Sequence, residues 1–138
     1  LQRNERLTNL LTEFFERFSS WEQCVVKDKG LTLPQMHTIE ILGVHGRMRM
    51  KELAEKMGIT TGTLTVLADR LQDKNLIERT PHEQDRRSIL VGLTQKGERH
   101  FEEHHRLHLR LTEELLTGLD EGEAETLENL LSKMIPRL

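Results

Sequence analysis

The sequence predicts a mainly α-helical fold interrupted by one small β-hairpin, and three observations carry that prediction. Long stretches at both ends repeat apolar residues every three or four positions, as one face of a helix requires. In the middle, Gly58-Ile59-Thr60 separates two short helical patterns. Directly after them, two strand-like runs flank the polar segment Pro81-His82-Glu83-Gln84-Asp85-Arg86-Arg87, which reads as a hairpin tip.

The elements follow in order. Leu7, Leu10, Leu11, Phe14, Phe15, Phe18 and Trp21 form the stripe of a first long helix, and Asp28-Lys29-Gly30 ends it. Thr32 and Pro34 open a second helix, with Met36, Ile39, Ile41 and Leu42 apolar and Gly43 and Gly46 at its end. Met48-Arg49-Met50 is short enough to be a minor strand. Lys51 to Met57 forms a helix that buries Leu53, Ala54 and Met57. Thr60 or Thr61 caps the next, which runs to about Lys74 with Leu64, Leu67, Ala68 and Leu71 inward. Strands are expected over Ile77 to Thr80 and Ser88 to Leu93, then a long helix from about Gln95 to Thr117. After Gly118-Leu119-Asp120 a last helix carries Leu127, Leu130, Leu131, Met134 and Ile135.

Both terminal helices are more apolar than the small central part can cover. Either they pack on each other in a monomeric bundle, or they meet a second copy, most simply around a two-fold axis. The 138 residues suit one domain, 36% apolar and 31% charged, and the chain is expected to be soluble. The first residue is Leu1, so native residues are expected to precede it. No apolar run approaches the ~18 residues of a membrane span, and no signal-peptide pattern appears. No membrane partner and a cytoplasmic location are therefore expected. One cysteine, Cys24, excludes an internal disulfide framework and suits a reducing compartment. The formal charge of −3 is unevenly spread. Arg47 to Arg87 holds nine Lys/Arg against seven Asp/Glu, a net +2, and the remainder holds eleven against sixteen, a net −5. The centre is thus the part suited to facing phosphate.

In that centre Ala54 permits a close helix crossing, Gly58 suits a positive φ, and Ile59 plugs the space between the two helices. The second helix opens Thr60-Thr61-Gly62-Thr63-Leu64-Thr65, with short polar side chains where a helix N-terminus favours phosphate oxygens. Gly62 allows close backbone approach, and Arg70 lies near the exposed face. The hairpin tip places Arg86 and Arg87 where a minor groove concentrates negative potential, with Asp85 expected to hold Arg87 by an ion pair. The whole reads as a winged helix-turn-helix with flanking helices.

Leu53-Ala54, Gly58-Ile59-Thr60, Thr63, Leu71, Leu76-Ile77-Glu78-Arg79, Asp85-x-Arg87 and Leu93-Thr94-x-x-Gly97 together resemble the signature of MarR-type transcriptional regulators. The resemblance spans the chain. It implies a single MarR-type domain over residues 1–138, with residues 32–94 as the DNA-binding part and residues 1–30 and 95–138 as dimerisation helices. It also implies a homodimeric regulator, a repressor in kind, that binds a pseudo-palindromic double-stranded operator with one recognition helix per half-site.

The resemblance also frames what such a regulator senses. Cys24 lies late in the first helix, with no Lys or Arg beside it and Lys27 one turn on, so a semi-buried, unreactive cysteine is expected. His104 and His108 are spaced i, i+4 on the long helix, so both rings leave one face and can grip one metal ion. Glu102-Glu103-His104-x-x-x-His108 with Gln35-x-His37 looks like the zinc-responsive branch of the family. That likeness implies a regulatory Zn2+ held by His37, His104 and His108, with Glu22, or else Cys24, as the fourth ligand. Two other readings stay open: His100, His104 and His108 as a solvated polar stripe, or a small aromatic effector with no metal. A zinc hydrolase using His37, His104 and His108 would need an open fourth position and a general base at a substrate cleft; Glu103 is a candidate base, but no Gly-rich loop, nucleophile motif or second acid-base pair accompanies it. An enzyme is therefore not expected.

Overall fold

Three of the helix ends share one device, and it sets where the chain turns. In the computed structural model, which describes residues 2–85 and 87–138, α1 spans Gln2–Asp28, α2 Leu33–His45, α3 Met50–Met57 and α4 Thr61–Asp73. After α1 the Leu31 N–H reaches back to the Val26 carbonyl at 3.2 Å and Gly30 N–H to Lys27 at 2.9 Å. After α3 the Ile59 N–H reaches Ala54 at 3.1 Å, and after α4 the Leu76 N–H reaches Leu71 at 3.0 Å. Each pattern satisfies carbonyls left over at a helix C-terminus and folds an apolar residue back onto the helix it ends. Gly58 occupies the left-handed position at φ 68°, and Asn75 does the same job after α4 at φ 60°.

The starts are equally local. Thr32 caps α2 with a full capping box, its hydroxyl accepting from Gln35 N–H while the Gln35 side chain accepts from Thr32 N–H. Asp120 and Glu123 repeat that exchange at α6, Glu121–Met134. Of the two glycines expected at the end of α2, Gly46 marks it and Gly43 lies inside the helix.

The sheet has three antiparallel strands in the order β1 (Met48–Arg49), β3 (Ile89–Leu93), β2 (Ile77–Pro81). Met48 pairs with Val91, and Ile77 with Leu93. Met50, expected to end the strand, begins α3 instead. Met48, Ile77 and Val91 point inward and join Met36, Ile39, Leu42, Leu53, Ala54, Leu64, Ala68, Leu71 and Leu76 in one core.

The chain forms two compact units, Leu1–Arg99 and His100–Leu138, with the boundary inside α5, Gln95–Leu116. The core above belongs to the first unit. In the second, α6 has no buried residue, and Leu127, Leu130, Leu131, Met134 and Ile135 are exposed. In the first, Leu7, Leu10, Leu11, Phe14 and Phe15 of α1 are exposed as well. Among the described residues no helix is long and apolar enough to cross a membrane.

Gly97 shows how tightly α5 enters the first unit. Its N–H is capped by the Thr94 hydroxyl at 3.1 Å, and that hydroxyl donates to the Asn75 carbonyl at 2.7 Å. A Cβ on Gly97 would overlap the Leu76 carbonyl oxygen, a backbone atom, and would crowd Leu93. Gly97→Ala is therefore expected to lower stability by ~1–3 kcal/mol through overpacking, despite the better helix propensity of alanine. Urea unfolding measures it; equal or higher stability would show that the Asn75–Leu76 turn yields.

Candidate nucleic-acid interface

The α3–turn–α4 pair is held from within. Leu53 and Ala54 on α3, and Leu64, Ala68 and Leu71 on α4, are 2% exposed or less, so the opposite face of α4 is committed to solvent. That face carries Thr61, Gly62, Thr63, Thr65, Val66, Asp69 and Arg70.

The threonines divide by what they already bond. Thr60 is the N-cap: its hydroxyl oxygen accepts from Thr63 N–H at 3.1 Å, and its O–H donates to Thr63 Oγ1 at 3.0 Å. Thr65 donates to the Thr61 carbonyl at 2.8 Å. Thr61 forms no side-chain hydrogen bond with a described residue, so it is the hydroxyl with both donor and acceptor available. Nothing inside the chain demands glycine at 62, since a Cβ there would meet only Thr60 Oγ1 at 3.9 Å. The space above this first turn is open.

Asp69 would oppose a phosphate-facing role if its charge stood alone. It does not, because Arg79 on β2 pairs with it and also donates from Nε to Gln72 Oε1 at 2.9 Å. Arg70 is exposed and pairs with no described residue. Val66, 54% exposed, adds an apolar spot amid the polar face, a feature the inward-facing periodicity had no reason to single out.

The hairpin carries the second part of the surface. Arg47 anchors its base, pairing with Glu78 and donating to Thr80 Oγ1 at 3.3 Å. At the tip the His82 N–H donates to the Ser88 carbonyl at 2.9 Å, closing the hairpin. His82 Nδ1 accepts the backbone N–H groups of Gln84 at 3.1 Å and Asp85 at 3.3 Å. The expected ion pair between Asp85 and Arg87 is not what forms. Asp85 Oδ1 accepts the Arg87 backbone N–H at 3.1 Å, and Oδ2 accepts the Ser88 hydroxyl at 3.2 Å. The reason is reach: a short carboxylate meets the amide two residues on without strain, whereas an arginine would have to fold back on itself. The Arg87 side chain is exposed and pairs with no described residue. Arg86 lies outside the described residues.

The histidine pattern separates by unit. In the second unit, His104 is 1% exposed and His108 half-buried, with their Nε2 atoms 2.9 Å apart. A solvated stripe does not describe His104. In the first unit, Glu22 on α1 is 8% exposed, and a carboxylate oxygen of Glu40 on α2 lies within 4.8 Å of one of its own. His37, one turn before Glu40, is exposed. Glu40 was missed by sequence reasoning; an acid three residues after a candidate ligand, on the same helix, was the available signal. Cys24, expected to be semi-buried, is exposed.

Comparison with known proteins agrees with this architecture. The MarR family model matches residues 31–89. The multiple antibiotic resistance protein MarR of Salmonella typhimurium is 36% identical over 107 residues, covering 77% of this chain and 74% of that protein. The transcriptional repressor MdtR of Bacillus subtilis is 40% identical over 78 residues, 56% of this chain and 50% of the repressor. The chain thus spans about half the length of MdtR, and 44% of the regulator YfiV from the same organism. Among solved structures, Streptococcus pneumoniae FabT in complex with DNA superposes with a TM-score of 0.88 at 27% identity, covering 96% of this chain and 95% of FabT. MdtR and YfiV are by name a helix-turn-helix transcriptional repressor and a helix-turn-helix transcriptional regulator. With its helix-turn-helix, its wing and a relative matched over most of both lengths, the chain belongs to the MarR family.

Proposed function

We propose that this chain is a sequence-specific, cytoplasmic transcriptional regulator, a repressor that binds a pseudo-palindromic double-stranded operator as a homodimer. The observation that carries the reading is the solvent-facing surface of α4, Thr61 to Arg70, beside a wing that ends in the uncommitted cation of Arg87. In this reading residues 32–94 contact DNA. Thr61 and the open backbone at Gly62 approach the major groove with Thr60, Thr63, Thr65 and Arg70. Arg86 and Arg87 enter the minor groove, and Asp85 shapes the turn that presents them. FabT in complex with DNA, so similar in fold, supports it. Residues 1–30 and 95–138 supply the dimer contact, for which the exposed apolar stripes of α1 and α6 are suited.

The experiment is selection of bound duplexes from a randomised pool. The expected product is an inverted repeat whose half-sites are centred about 10–10.5 base pairs apart, or a multiple of that. Binding should also weaken steeply as salt is raised. Enrichment of no sequence, or of one lacking two-fold symmetry, would overturn the reading.

For the input we propose a regulatory Zn2+. His104 and His108 offer two imidazole donors from one helix face, and Glu22 offers a buried carboxylate. Taken with His37, these are the nitrogen and oxygen donors that the family likeness implies for zinc, with Cys24 as the alternative to Glu22. Bound metal would supply a cross-link that favours one arrangement of the two wings. A small aromatic effector is the alternative input.

A further inference from the structure

The wing tip turns on an unusual acceptor. Backbone amides in such turns are ordinarily met by the oxygen of Asn, Asp or Ser. Here the ring nitrogen Nδ1 of His82 receives two of them, from Gln84 at 3.1 Å and Asp85 at 3.3 Å. The bonds continue outward, since Asp85 in turn accepts the Arg87 N–H and the Ser88 hydroxyl. A nitrogen that accepts N–H groups carries no proton, so the ring proton must sit on Nε2. An oxygen acceptor would be indifferent to pH over the neutral range. An imidazole is not.

We propose that His82 is a positioning residue for DNA contact: its neutral Nε2–H tautomer holds the wing tip in the conformation that presents Arg87, and protonation releases it. The proposal rests on the reading of the hairpin as a DNA-binding wing. A proton on Nδ1 would set a donor against two donors and break both bonds together. Among the described residues, four charged groups bear on the ring. Arg47 and Glu83 line the same recess, Arg47 already paired with Glu78. Asp85 and Arg87 lie beyond the ring, and the Asp85 carboxylate is occupied by the Arg87 amide and Ser88.

Two measurements on the whole protein test this. Nitrogen-15 NMR of the imidazole at pH 8 should show the proton on Nε2 and an unprotonated, hydrogen-bonded Nδ1; a proton on Nδ1 overturns the proposal without any DNA. The second measures affinity for the duplex recovered by selection, from pH 8 to 5.5, for wild type, His82→Ala and His82→Asn. His82→Ala should bind about five- to tenfold more weakly at pH 8, the loss of one or two net hydrogen bonds. His82→Asn, which restores an oxygen acceptor, should recover most of that. The ratio of wild-type to His82→Asn affinity should be lower at pH 5.5 than at pH 8. A ratio that is flat or rises, or a His82→Ala variant that binds as wild type, overturns this inference alone. Recovery of no duplex instead overturns the DNA-binding reading beneath it.

Discussion

Arg87→Ala is expected to weaken binding to the selected duplex by about 30-fold or more while leaving the dimer intact. The argument is that this substitution removes a cation and little else. The hairpin depends on the Arg87 backbone N–H, which Asp85 holds at 3.1 Å and which alanine keeps. The guanidinium is exposed and pairs with no described residue, so its removal strands no buried partner. One arginine contact is worth ~1–3 kcal/mol, and a dimer carries two wings, so the doubled cost of ~2–6 kcal/mol corresponds to about 30- to 20,000-fold in affinity. The salt slope should fall by about two, one phosphate-like contact per subunit. Fluorescence anisotropy across a salt series gives both numbers, and sedimentation gives the oligomeric state. Unchanged affinity would remove the wing from the interface.

The purified protein is expected to bind about one zinc per subunit at the proposed site, and the His104→Ala, His108→Ala double variant none there. Two of the four ligands of a tetrahedral site are then gone, and the remainder does not hold the ion. Chelation should lower duplex affinity of the wild type by about 5- to 150-fold, the usual range of coupling between two sites, and should leave the double variant unaffected. That coupling exists only if zinc binds the DNA-competent arrangement better than the other. Elemental analysis reads the stoichiometry independently of any effect on DNA. Glu22→Gln and Cys24→Ser, compared side by side, identify the fourth ligand. Zinc content and chelator response that survive the double variant would sink the metal reading. A response to an aromatic acid in its place would favour the alternative effector.

The two predictions draw on features of different legibility. The helix pair, the hairpin and the flanking helices were readable because each signal is local. Apolar spacing, Thr32 and Asp120 as caps and Gly58 at a turn all act within a few residues of themselves. The MarR resemblance carried the same information over the full chain, and the family holds.

What only the tertiary structure decided is which polar group each candidate meets. Sequence placed Asp85 beside Arg87 but could not say that the carboxylate would take the amide and leave the guanidinium outside. It placed four threonines at the start of α4 without showing that Thr60, Thr63 and Thr65 already bond within the helix, leaving Thr61 uncommitted. Asp69 finds Arg79 from a different element. His82, a bare turn residue in sequence, proves to be the acceptor for two amides. The physical reason is the same in each case. Periodicity and capping report how a segment satisfies its own backbone, whereas the partner a particular side chain takes is set by a few tenths of an ångström in space. That precision appears only once packed elements fix where each group stands.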